Sequence, residues 1–176
     1  MTDWLIGGTL AATAIAAVWF DVRERRIPNA LTVSAFVIAL VARSFFGLPA
    51  LGSGLAGAGL CFLLSLPFFL ARGLGGGDVK LLTAFGALLG LERIAPALAV
   101  TALVGGLLAV VEMVRRRAIA RTLWGVYAIL RSLGSRSFTR WKREEPHAPM
   151  TLDHPDAVTV PYGIAISAGA LYGWFL

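Results

Sequence analysis

The sequence predicts an all-α membrane protein, a bundle of about six transmembrane helices forming one polytopic domain over residues 1–176. Three observations predict it. Of the 176 residues, 57% are hydrophobic, and the mean hydropathy is +0.76. Only 15% are charged, where a soluble domain carries about a quarter. Five apolar stretches are long enough, or nearly so, for the roughly 20 residues that a helical span needs, and a sixth is short.

In chain order the first stretch is Trp4–Phe20. It has no basic residues ahead of it, Asp3 being the only early charge, so it reads as a retained helix and not as a signal peptide. Leu31–Phe46 is the second and Leu51–Ala71 the third. The small residues of Gly52–Gly59 within the third suit close helix packing. Cys61 also lies there; a single cysteine makes neither an internal disulfide nor a four-ligand zinc site, so its expected role is packing. Val79–Gly90 is the short fourth stretch, Ile94–Val114 the fifth and Ala157–Leu176 the sixth.

The connection 115–156 is the one long connection. Leu123, Trp124, Tyr127, Leu130 and Leu133 recur in it at helical spacing among Arg121, Arg131 and Arg136, as in a basic helix lying on a membrane surface. Pro146–Pro155 is Pro-rich and expected to be irregular. His147, His154, Asp153 and Asp156 fall in or beside it and read as a solvated loop, so no metal site is expected.

The net charge of +6 does not point to nucleic acid. Of sixteen Lys and Arg residues, all but Arg43 and Arg93 lie in or beside the connections 21–30, 72–80 and 115–156. Alternate basic connections follow the positive-inside pattern, which puts the N-terminus outside, those connections in the cytoplasm and the lipid bilayer as partner.

Two acids stand out against this background. "GLGGGDVKLL" sets Asp78 behind three glycines at the start of a short apolar stretch. Counting a normal span back from Glu92 places Asp78 on the order of 8 Å inside the cytoplasmic face. Irregular or closely packed backbone at that depth must be buried in protein or line a wet cavity, and an acid there is a functional site by default. Asp21 follows the first stretch, two spans away, so both acids emerge on one side. Taken singly, Asp21 reads as a helix-end acid paired with nearby arginines and Asp78 as a helix cap. Taken together, they can share one proton, one acting as acid and the other as base toward water and an amide carbonyl.

The motifs sharpen this reading. Gly75–Asp78 followed by Lys80 resembles the GxGD signature of membrane-embedded aspartyl proteases. "DVRERRIPN", Asp21–Asn29, resembles the first-aspartate motif of type IV prepilin peptidases, with Pro28 seven residues after the acid. "VPYGIAI", Val160–Ile166, resembles the Pro-aromatic-Gly start of that family's last helix. The resemblance covers nearly the whole chain. It implies a leader peptidase, multi-pass in the bacterial inner membrane, that cuts basic leaders from prepilin or pseudopilin precursors at the cytoplasmic face. Asp21 and Asp78 would be catalytic. Gly75, Gly77, Lys80, Pro28, Asn29, Pro161 and Gly163 would support them. The chain begins at its first helix and has no CxxC, unlike the larger family members, so it resembles the short stand-alone peptidases of tight-adherence (Flp-type) pilus systems. Methyltransferase activity and S-adenosylmethionine are not expected, and no other cofactor is. The alternatives are a proton- or cation-coupled transporter component and a non-catalytic assembly subunit.

Overall fold

The computed structural model describes residues 2–70, 73–115 and 162–176. Among them every regular element is a helix: α1 (Thr2–Glu24), α2 (Asn29–Ser44), α3 (Leu48–Leu70), α4 (Gly76–Arg115) and α5 (Tyr162–Phe175). The described residues hold five elements where six were expected, because the fourth and fifth apolar stretches are the two arms of α4, joined across a break. By length and composition α1, α3 and α4 can each cross a membrane, whereas α2 is shorter.

α4 is broken at Gly90, whose φ of 72° and ψ of 175° are open to glycine and strained for any side chain. Leu82, Phe85 and Leu89 before the break and Ile94, Ala97, Leu98 and Thr101 after it line one small apolar cavity. A straight helix would hold Leu82 and Thr101 about 28 Å apart, so α4 doubles back and its two arms lie side by side.

Such a break frees backbone groups that need partners. Arg43 provides for the first arm, its Nε donating to the carbonyl of Ala87 (2.8 Å) and its Nη2 to that of Leu88 (3.0 Å). Its Nη1 donates to the carbonyl of Ala50 (3.1 Å). Ser53 Oγ accepts from the N–H of Leu91 (3.1 Å), the first residue past the break. Nearby along the chain, the guanidinium of Arg93 lies 4.8 Å from the ring centre of Trp174, in cation–π geometry.

The core is built from small and medium residues: Leu10, Ala14 and Ala17 of α1, Ala39 and Ala42 of α2, Ala58 and Cys61 of α3, Leu81, Phe85 and Leu88 of α4, and Ile166 and Ala170 of α5. Small side chains let the backbones approach. One close approach joins α3 to α4 at Gly57 and Gly86. A methyl group on Gly86 would stand 2.5 Å from the carbonyl oxygen of Gly57 and 3.0 Å from the Cα of Ala58. Both are backbone atoms and cannot swing aside. Gly86→Ala is expected to cost about 3 kcal/mol, the upper end of overpacking, seen as a Tm about 6–12 °C lower in detergent. An unchanged Tm would show that the two helices do not touch there.

Two compact units are distinguished, Met1–Leu107 with Pro161–Leu176, and Leu108–Val160. The first holds the core and both acids. The described part of the second is the end of α4, where Arg115 pairs with Glu112 at 3.8 Å. The basic connection over 116–156, its expected interfacial helix, His147, His154 and the start of the sixth apolar stretch, Pro161 included, lie outside the described residues.

Candidate active site

Asp21 occupies the last turn of α1 and is only 7% exposed. The helix ends just beyond it: Arg25 adopts a positive φ of 49°, and its N–H donates to the Asp21 carbonyl at 3.1 Å, a left-handed cap that turns the chain. A carboxylate so buried needs a donor. It has one in the backbone N–H of Gly163, which donates to Oδ2 at 2.7 Å. Gly163 is the second residue of α5, where helix N–H groups have no partner in their own helix and the dipole favours an anion. No side chain fits at this position, because a methyl group on Gly163 would stand 2.7 Å from Oδ2 and 3.0 Å from the Asp21 Cβ.

Asp78 is the third residue of α4. Its Oδ2 accepts from the N–H of Gly75 at 3.2 Å. The acid thus reaches back to the residue before the helix, as the acidic member of a capping box does, and is not the cap residue itself. Gly75 stays outside the helix while Gly76 and Gly77 form its first turn, so the glycine stretch is only partly irregular. Gly77 packs against buried Ile27; a methyl group there would come within 3.3 Å of the Ile27 Cβ.

Three observations bring the two acids to one end of the helices. Their carboxyl groups lie within electrostatic range of each other. Ile27, six residues after Asp21, packs on Gly77, next to Asp78. Tyr162, adjacent to the Gly163 that holds Asp21, is within electrostatic range of Asp78. The break at Gly90 and its Arg43 cap lie at the far end of the first arm of α4, about 18 Å away along the helix.

The supporting residues divide. Lys80 Nζ donates to Asn29 Oδ1 at 2.8 Å, joining the segment after Asp21 to the arm that carries Asp78. Pro28 is the N-cap of α2, with its carbonyl accepting from Leu31 at 3.1 Å. Gly75, Gly77 and Gly163 all touch an acid or its segment, while Pro161 is not among the described residues. Sequence reasoning assigned no role to two further residues. Tyr162, whose ring also packs on Gly105, stood in the quoted motif at the first position of the last helix. Ile27 stood next to Pro28 and could have been read as the apolar anchor of that connection.

Two carboxyl groups within electrostatic range of each other, one buried and one half-buried, can share a proton, bind a water and polarise a carbonyl. Comparison with known proteins agrees in kind. A profile of the type IV leader peptidase family matches residues 9–110, more than half of the chain and inclusive of both acids. Prepilin peptidase EppA of Methanococcus maripaludis is 35% identical over 81 residues, which are 46% of this chain and 22% of that protein. The chain therefore matches less than a quarter of that relative's length. No solved structure matches. A match that runs from within α1 through the second arm of α4, taking in both acids, makes this chain a member of the type IV leader peptidase family.

Proposed function

We propose that this protein is a prepilin leader peptidase, an aspartyl endopeptidase that uses Asp21 and Asp78 to cut the leader from a pilin precursor at the cytoplasmic face of the membrane. The observation that carries the reading is the convergence of the two carboxyl groups at one end of the helices, with Asp21 held by the α5 backbone. In this reading one carboxylate takes a proton from water as the water oxygen attacks the scissile carbonyl. The other, protonated, gives its proton to the carbonyl oxygen. The tetrahedral intermediate then collapses as the first acid passes the proton taken from water to the leaving nitrogen and a hydroxyl of the intermediate returns a proton to the second, which releases the leader acid and the new pilin amine.

The positive-inside pattern of the basic connections supports a cytoplasmic side for the acids in this reading. The first arm of α4, from Gly76 to the break, is about 20 Å long, shorter than the roughly 30 Å hydrocarbon layer. Such an arm suits an acid lying below the surface. A substrate with a basic leader in the cytosol and an apolar helix in the bilayer would present its junction at that depth.

The test is cleavage by the purified full chain, in detergent, of a prepilin with a basic leader, Gly at the junction and an apolar helix. Mass spectrometry of both products is expected to show a single cut after the Gly. If no pilin is cut while the protein is folded, the peptidase reading fails, and ion flux in proteoliposomes becomes the next measurement.

A further inference from the structure

We propose that Asn29 and Lys80 form a positioning pair that clamps the segment following Asp21 to the arm carrying Asp78, and so sets the separation of the two carboxyl groups. The inference rests on the peptidase reading and assigns a role within that site.

Each acid has its own anchor, Asp21 on Gly163 of α5 and Asp78 on Gly75 of its own helix start. Neither anchor ties one acid to the other. That tie is made at two points. The Lys80 ammonium donates to Asn29 Oδ1 at 2.8 Å across 51 residues of sequence. The Ile27 side chain packs on Gly77. Ile27 is two residues before Asn29, and Gly77 is three before Lys80, so the same two segments are joined twice. One contact fixes a distance; two fix an orientation as well.

The chemistry of both partners favours this use. Asn29 is the first residue of α2, after the N-cap Pro28, and its side-chain oxygen crosses to accept from Lys80 of α4. Lys80 lies near the N-terminal end of α4, where the helix dipole disfavours a cation. An oxygen acceptor aimed at the ammonium offsets that cost. Both side chains are exposed, and an exposed hydrogen bond contributes little to stability. The pair should therefore matter for geometry far more than for folding.

The experiment measures kcat and KM for prepilin cleavage by the full chain and by Asn29→Ala, Lys80→Met, the double variant and Asn29→Asp. Each single substitution is expected to lower kcat by between about tenfold and a hundredfold, the scale of a small misplacement of catalytic groups. KM should stay within about twofold, and the double variant should be no worse than the worse single. Asn29→Asp keeps an acceptor for the ammonium and should retain most of the rate. Losses that multiply in the double variant, wild-type kcat in Asn29→Ala, or an effect confined to KM would each overturn the proposal. A second arm needs no activity: spin labels at Val22→Cys and Gly73→Cys report the spacing of the two segments. That distance distribution should broaden alike in both singles and the double, and narrow again in Asn29→Asp. An unchanged distribution sinks the pair even if the wild type cuts no pilin, whereas failure to cut with the broadening present sinks only the peptidase reading.

Discussion

Asp21→Asn and Asp78→Asn are each expected to lower prepilin cleavage by about a thousandfold or more, with the fold intact. The size follows from their proposed roles, because groups that act as a unit in one transition state lose nearly everything when either is removed. For the same reason the double variant should be no slower than the worse single. The isosteric change separates chemistry from structure. An asparagine at 21 keeps an oxygen to accept from the Gly163 N–H, and one at 78 keeps an oxygen for Gly75. Both variants should therefore show Tm values within a few degrees of the wild type in detergent. Residual cleavage near the wild-type rate in either variant would falsify the dyad, whatever the behaviour of the other.

The second large effect is expected from Gly163→Ala, a change of one methyl group. That methyl would stand 2.7 Å from Asp21 Oδ2 and 3.0 Å from its Cβ, so either the carboxylate leaves its donor or α5 moves away from α1. Both outcomes displace an acid that must meet its partner, and we expect kcat to fall by about a hundredfold. Gly86→Ala is the comparison that gives the result meaning. It also forces a methyl group into a backbone contact, but far from the acids. The Gly86 variant should lose stability yet keep its rate per folded molecule, whereas the Gly163 variant should lose rate out of proportion to any loss of Tm. Equal behaviour of the two would reduce Gly163 to a packing residue.

The helical class and the positions of most helices were legible because apolar length is a direct measure of membrane span. The acids were legible for a related reason: Asp21 and Asp78 are costly where they stand, and cost draws attention. The way the break in α4 is held together was not. Gly90 reads in sequence as one more small residue at the end of an apolar stretch, and nothing local to it shows that Arg43 and Ser53, far upstream, satisfy a break at that point. Arg43 itself stood out in sequence only as one of two cations outside the basic connections. Its three carbonyl partners on α3 and α4 are tertiary facts. The donor to Asp21 was hidden in the same way. A backbone N–H has no signature in sequence, and only the proximity of α5 to α1 discloses that Gly163 provides it.

The partner of Asp21 also has a consequence for the order in which the protein is made. Arg43 and Ser53 both leave the ribosome before Gly90, so the break in α4 meets its cap on arrival. Asp21 is in the opposite position, because the N–H that holds it belongs to a residue 142 positions later. At about 5–20 residues per second, the interval is on the order of ten seconds. Through that time the acid sits in a nascent helix without the backbone group that orients it. In the proposed reading, the site is complete only when α5 docks on α1, after α2, α3 and α4 have already been made.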